Sequence, residues 1–386
     1  MEEGGGGHHR LRVLSLIVPA RTVSGRGSRS AVLEAVTPLR GAIIVVRGQS
    51  VPWVDVLLAE LMAAGRPVFP VIATGEPSLP LVEALVSELR ESGAGIVVAI
   101  GGGSVIDLGK ALAALVPAPA GVLDHLEVVG AGQPLAEPPL PLIAVPTTAG
   151  TGAEATKNAV IDVPDHRRKV SLRDPRMVPG LAVLDADLTD GAPWPVTLST
   201  GMDALTQLIE AFVSIRATPE TDVLCRAAIP LAAGALSRLS KGEDPDARQT
   251  MLVAAHLSGI ALANAGLGAV HGLAGVLGGC TKAPHGAICA RLLPPVLKVN
   301  REACLAAGLD TGRFDEVDEM VARGMGRPGE TAPDLLRDLM SGTDFPGLGT
   351  FDAEAVVEES LQSSSMKGNP VQLTVPQLVS VLGSAA

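Results

Sequence analysis

Residues 201–214 (GMDALTQLIEAFVS) separate into two faces at helical period. Met202, Leu205, Ile209 and Phe212 form an apolar stripe, and Asp203, Gln207 and Glu210 follow at i, i+4, i+7 on another face. A carboxylate and an amide one turn apart can both reach one cation or substrate, or they can simply face water. Further along, His271 opens a helix of small residues (HGLAGVLGG), and His285 stands between Pro284 and Gly286 just before another helix. Two of the seven histidines thus bracket one glycine-rich helix. With an aspartate and a glutamine available they make a candidate metal site; a lone histidine in either place would read as structural.

A second constellation is a pair of glycine loops. GGGSVIDLGK (residues 101–110) follows the apolar run GIVVAI and leads into a helical pattern, and PTTAGTGAE (146–154) follows PLIAV. Glycines let the backbone approach an anion without Cβ clashes, and a helix start aims unpaired N–H groups and a partial positive charge at it. The first loop is not GxGxxG, and one glycine-rich turn is weak. Two glycine–hydroxyl loops at consecutive strand ends imply one nucleotide held between them.

The elements that must position these groups follow from periodicity. Residues 42–46 (AIIVV) and 67–72 read as strands, 52–64 and 81–91 as helices, and 96–100 as the strand feeding the glycine turn. Continuous apolar strands alternating with helices predict a parallel sheet covered on both faces, with ligands beyond the C-terminal strand ends. Residues 158–163 and 169–172 predict a hairpin after the second loop, and 182–184 a last strand. The HRRK run at 166–169 is either its solvated tip or a face for an anion. A first strand is expected within residues 11–20, after a loose tail holding His8 and His9. From Pro193 onward helical patterns dominate. The expected organisation is an α/β nucleotide-binding domain over residues 1–190 and an all-α domain over 191–386 carrying the metal or catalytic groups.

Composition bounds the partners. The chain has 386 residues and a formal charge of −11, which argues against nucleic acid or an anionic membrane surface. Aromatics are 2 % and tyrosine is absent, so core and pocket are built from small and branched aliphatics. The four cysteines show no CxxC pairing and read as reduced thiols of a cytoplasmic enzyme.

Over nearly its whole length the chain resembles the iron-containing (group III) alcohol dehydrogenase family. The matching stretches are GGGSVIDLGK, PTTAGTGAEATKNAVI, RRKVSLRDP, GMDALTQLIEAFVS, the GLGAVHGLAGVLGG…PHGAICARLLP block and KGNP at 367–370. The resemblance implies hydride transfer between NAD(P)H and an aldehyde or ketone, with a divalent metal, Fe2+ or Zn2+, polarising the carbonyl oxygen. It implies a cleft between the two domains, a homodimer through the N-terminal region and a small-molecule substrate. It assigns Gly101, Gly102, Gly103, Ser104 and Asp107 to the pyrophosphate turn. Thr147, Thr148 and Thr151 fall to the nucleotide, and Lys169 to its ribose or nicotinamide side.

The family's metal set, one aspartate and three histidines, maps onto Asp203, Gln207, His271 and His285. Glutamine thus stands where an imidazole is expected, and a further active-site histidine, one turn after His271, is replaced by Gly275. Two versions stay open. In one a weakened metal site persists; in the other the site is metal-free, and His271 or His285 donates to the developing alkoxide. Where NAD-preferring relatives often carry an acid at the first strand's end, this chain has Arg47, which suits a 2′-phosphate and implies NADP(H) over NAD(H). Asn158, Lys157 and Phe212 are candidate rim residues of the pocket. The rival readings are a nucleotide-binding homologue that has lost catalysis and a dehydroquinate synthase-like lyase on the same fold.

Overall fold

Strands β1 (Arg21–Ser24), β2 (Ala42–Arg47), β3 (Val68–Ile72), β4 (Ala94–Gly101) and β5 (Leu142–Pro146) pair in parallel with β8 (Leu181–Leu184) in the order β1-β8-β5-β4-β2-β3. The antiparallel hairpin of β6 (Asn158–Val163) and β7 (Arg168–Arg173) follows the second glycine loop. The computed structural model describes residues 15–166, 168–281, 283–345 and 347–385.

Helices α1 (Ala31–Val36) and α2 (Pro52–Ala63) cover one face of the sheet, and α3 (Leu79–Leu89) and α4 (Gly103–Leu115) the other. Alternate strand residues sort between them: Ile43, Val45, Ile96 and Val98 pack with Val54, Leu57 and Leu61, while Ile44, Val46, Val97 and Ala99 pack with Val82, Val86 and Leu112. Every residue of β2, β5 and β8 is buried, which is why these strands are continuous apolar runs. From β2 the chain passes to β3 on one side and from β4 to β5 on the other. The crevice between the ends of β2 and β4 is therefore the switch point where ligands of such sheets lie. It holds Arg47–Gly48 and the glycine turn, joined by the Gly48 amide donating to Ile100 O at 3.1 Å.

A short α5 (Val122–His125) precedes β5. Beyond the sheet lie α6 (Trp194–Val213), α7 (Pro219–Leu239), α8 (Pro245–Ala265), α9 (Ala269–Cys280), α10 (His285–Ala306), α11 (Gly312–Met325), α12 (Ala332–Met340), α13 (Ala353–Ser360) and α14 (Val375–Ala385), sharing one core. The chain is thus a parallel α/β sheet followed by a helical region. A close contact joins the halves: a Cβ at Gly259 on α8 would lie 2.2 Å from Gly152 O in the second glycine loop, and Gly152 itself has φ +59°. Only paired glycines permit that approach.

One expectation is corrected here. The first strand is β1 at Arg21–Ser24, not within 15–20; residues 11–14, like His8 and His9, lie outside the described residues. As an edge strand with exposed Arg21, Thr22 and Ser24 it shows no apolar run. Around the hairpin turn Pro164–His166, Arg168 pairs with Glu359 at 3.5 Å and Lys169 with Glu76 at 2.6 Å, so carboxylates of this chain already meet those cations. Among the described residues no single helix is long and apolar enough to cross a membrane.

Candidate active site

The two glycine loops form one unit. Gly102 caps α4, and the amide of Thr147 donates to Gly101 O at 3.0 Å. A Cβ on Gly102 would lie 3.3 Å from Thr148 Oγ1, and one on Gly103 2.7 Å from Thr151 Oγ1. Threonine side chains of the second loop therefore rest on the glycines of the first, and Ser104 stands in the first turn of α4. The result is a hydroxyl-lined turn at a helix N-terminus, suited to a pyrophosphate.

Other residues assigned to the nucleotide have different neighbours. The Asp107 carboxylate accepts from the Val160 amide at 3.1 Å, so it tethers the hairpin; burial pushes its carboxyl up to about 6. Arg47 folds back over its own turn, donating to Gly48 O (3.2 Å) and Val51 O (3.3 Å) and pairing with Asp55. Lys169 reaches across to α9, where a Cβ on Gly278 would be 3.7 Å from its Nζ. Asn158 and Lys157 are half-buried at the base of β6, and Asn158 O accepts from the buried Lys110 at 2.9 Å. Phe212 is no rim residue. It is fully buried in the helical core, with the Arg313 guanidinium 4.7 Å from its ring centre, because it lies on the same stripe as Met202 and Leu205.

On the helical side, Asp203, His271, His285 and Cys289 converge so that one ligand atom from each lies within 4.8 Å of the others. His271 Nε2 is 3.2 Å from Asp203 Oδ1, and His285 Nε2 is 3.9 Å from the same oxygen. Cys289 Sγ lies 3.8 Å from His271 Nε2 and 3.6 Å from His285 Nε2. Asp203, His271 and Cys289 are buried, while the His285 side chain is 41 % exposed. The electrostatics are mutual. Burial works against the charged form of Asp203, but the His271 hydrogen bond and the charge of His285 hold its carboxyl low. Burial likewise opposes the Cys289 thiolate, and the two imidazoles outweigh it and lower its pKa. The Cys289 charge raises His285 to about 9. At His271 the charges of Cys289 and Glu210 overcome burial and lift it well above the usual imidazole range.

Glycines and the KGNP segment set this geometry. A Cβ on Gly286 would fall 2.2 Å from Ser199 O, so α10 starts directly against α6 and brings His285 toward Asp203. At the start of α9, Asn369 Oδ1 accepts from the Ala269 amide at 3.0 Å and Glu210 Oε1 from the Val270 amide at 2.6 Å. Two of the helix's free N–H groups are thereby satisfied. Glu210 Oε2 lies 2.6 Å from His271 Nδ1, which fixes the ring and turns Nε2 toward the cluster.

Known proteins share this plan. Residues 19–186 match the family model described as iron-containing alcohol dehydrogenase, and residues 197–386 that of the Fe-containing alcohol dehydrogenase family, C-terminal. The chain belongs to the iron-containing alcohol dehydrogenase family. It is 37 % identical over 320 residues to a probable alcohol dehydrogenase EutG of Escherichia coli K12, covering 81 % of this chain and 78 % of that one. It is 34 % identical over 326 residues to the lactaldehyde reductase of the same organism, covering 80 % and 81 %. A crystal structure of 1,3-propanediol oxidoreductase superposes with a TM-score of 0.86 at 28 % identity, covering 97 % of this chain and all (100 %) of the other. The iron-containing alcohol dehydrogenase of Thermotoga maritima gives 0.82 at 26 % identity, covering 97 % and 99 %. The protein is thus an NAD(P)-dependent oxidoreductase interconverting a carbonyl compound and an alcohol.

Within this alcohol dehydrogenase the structure brings Asp203, His271 and His285 together, as the sequence expects, and adds Cys289, which the sequence reading did not single out. Gln207 is buried one turn along α6, where its Oε1 accepts from Ser258 Oγ at 2.7 Å. Its oxygen is therefore already engaged by a hydroxyl, and the fourth group of the His, Cys and carboxylate cluster is a thiol. The signal was available: His285 and Cys289 are i, i+4 on one helix and must share a face. Gly275 borders open space, with no atom within 4 Å of a Cβ built there.

Proposed function

We propose that this enzyme reduces a small aliphatic aldehyde or ketone with NADPH in preference to NADH, or oxidises the corresponding alcohol. The observation that carries the reading is the convergence of Asp203, His271, His285 and Cys289 on one point in the helical half. Residues 1–190 hold the dinucleotide, through Gly101, Gly102, Gly103 and Ser104 with Thr147, Thr148 and Thr151, and residues 191–386 orient the carbonyl. The reduced nicotinamide supplies the hydride. A divalent cation, Fe2+ or Zn2+, fits the donor atoms described above and when bound supplies Lewis-acid polarisation of the carbonyl oxygen. Asp203 and Glu210 orient His271 from its two nitrogens, and the apolar core behind Cys289 keeps water from that side of the site.

Support for a small substrate comes from the relatives named for lactaldehyde and 1,3-propanediol and from the small residues of α9, among them the exposed Gly275. Support for NADPH is Arg47 at the end of β2, whose guanidinium can exchange Asp55, itself largely exposed, for a 2′-phosphate. Unpaired Cys225, Cys280, Cys289 and Cys304 suit a cytoplasmic protein, and the family resemblance suggests a homodimer.

A second reading keeps the chemistry and dispenses with the cation. His285, held protonated to about pH 9 and partly exposed, donates its proton to the alkoxide. One experiment tests both: turnover of an aldehyde panel with NADPH and NADH, on enzyme stripped by chelation and on the same enzyme reloaded with Fe2+ or Zn2+. Cation-dependent turnover supports the first reading and cation-independent turnover the second. Binding of dinucleotide without turnover of any aldehyde overturns both.

A further inference from the structure

We propose that the cation site of this chain is built from Asp203, His271, His285 and Cys289, with a thiolate in the place of the family's third imidazole, and that this set favours zinc over iron. The inference rests on reading the cluster as a cation site and deepens it by naming the fourth donor.

Geometry is the first argument. Around a tetrahedral zinc, donors at about 2.0 Å (N, O) and about 2.3 Å (S) stand about 3.3–3.5 Å from each other. The separations are 3.2 Å (Asp203–His271), 3.6 Å (His285–Cys289), 3.8 Å (His271–Cys289) and 3.9 Å (Asp203–His285), with all ligand atoms within 4.8 Å. Four of the six separations among these groups of α6, α9 and α10 are therefore within a few tenths of an ångström of tetrahedral edges or somewhat longer, and the other two lie under 4.8 Å. Cys289 belongs to the set by construction, since it rides on the face of α10 that carries His285 one turn earlier.

Donor softness is the second. Thiolate suits zinc, and an amide oxygen is the weakest donor on offer. Gln207, the rival fourth ligand, has its oxygen on Ser258. A nucleophilic role for Cys289 is disfavoured, because the thiol is fully buried behind the two imidazoles.

The full-length protein, stripped by chelation and reloaded with Co2+ as a zinc surrogate, decides the matter by absorption. A thiolate-to-cobalt charge-transfer band in the near ultraviolet, beside visible bands of a tetrahedral ion at one cobalt per chain, supports the proposal. Cys289→Ser is expected to abolish the charge-transfer band and to weaken Zn2+ binding about tenfold or more, whereas Gln207→Ala keeps the band. Cobalt bound with visible bands but no charge transfer overturns the Cys289 assignment and leaves the cation reading standing. No stoichiometric cobalt binding overturns the cation reading as well. Should Cys289→Ser fail to fold, the wild-type spectrum alone still separates these outcomes. Competition between Fe2+ and Zn2+ for the stripped protein tests the preference, and equal occupancy by iron overturns it.

Discussion

Glu210 holds His271 by Nδ1 at 2.6 Å while its other carboxylate oxygen receives the Val270 amide, also at 2.6 Å. One carboxylate therefore caps α9 and fixes the ring whose Nε2 meets Asp203. Asp203 and Glu210 are both on α6, about two turns apart, so a single rigid helix grips both nitrogens of the imidazole. Glu210→Gln keeps the shape, but its amide presents N–H groups to one of two donors that need acceptors. The expected result is a fall of about 10–100-fold in cation affinity and in kcat/KM, with the fold retained. Titrating stripped wild-type and variant protein with Zn2+ checks it, and equal affinities would show that Glu210 only caps the helix.

Arg47 sits at the switch point, where its guanidinium spans Gly48 O, Val51 O and Asp55. Replacing it by aspartate removes the partner of a 2′-phosphate and supplies an acceptor for a 2′-hydroxyl. Arg47→Asp should lower the ratio of kcat/KM for NADPH to that for NADH by more than about tenfold, the effect of one charge-assisted contact. An unchanged ratio would mean that the Asp55 pair persists when cofactor binds and that Arg47 is structural.

How much of this was legible in the sequence depended on which force acted. Strands β2, β4, β5 and β8 declared themselves because burial on both faces demands unbroken apolar runs. Edge strand β1 did not, since three of its four residues face water. The glycine loops were legible because close approach at Gly102, Gly103 and Gly152 admits little else. Phe212 belongs to the core rather than the rim, and its own stripe, with Met202, Leu205 and Ile209, already pointed there. Cys289 was hidden in an apolar stretch, where a thiol passes for a small core residue until its neighbours are known. The hydrogen bond of Gln207 with Ser258 and the hold of Asp107 on Val160 are tertiary facts that no local pattern carries.

Lys110 is fully buried on α4, donating to Thr156 Oγ1 at 2.7 Å and Asn158 O at 2.9 Å, and burial lowers its pKa from 10.5 to about 8. Between pH 8 and 10.5 the unfolded chain therefore binds the proton that the folded chain has released, and stability from this group rises with pH across that window. Below pH 8 both states carry the charge, and its burial cost is constant. His285, raised to about 9, acts with the opposite sign: its contribution is full below 6.5 and is lost as pH rises through 9. Comparing wild type with Lys110→Met cancels that second effect. The difference in unfolding free energy between the two should shift in favour of wild type as pH climbs from 8 to 10.5, by an amount on the order of a few kcal/mol. Urea titrations at several pH values measure it, and parallel pH curves would mean that Lys110 keeps its ordinary pKa.

Gly275 lies one turn beyond His271 on the same face of α9, exposed and with nothing within 4 Å of a built Cβ. A histidine placed there meets no backbone, and replacing a helical glycine should itself stabilise by a few tenths of a kcal/mol, up to about 0.5. Its imidazole would enter open space on the side of α9 that carries His271, and the partly exposed His285 belongs to the same cluster as His271. If proton transfer to the alkoxide limits turnover, Gly275→His should raise kcat by up to about 10²-fold and add an ionisation near neutral pH to its pH profile. If hydride transfer or release of the oxidised cofactor limits instead, kcat stays put while the new ionisation still appears in kcat/KM. A variant that binds dinucleotide normally yet shows neither change would mean that this face of α9 does not look onto the reacting oxygen, contrary to the geometry of His271 and Lys169 on either side of it.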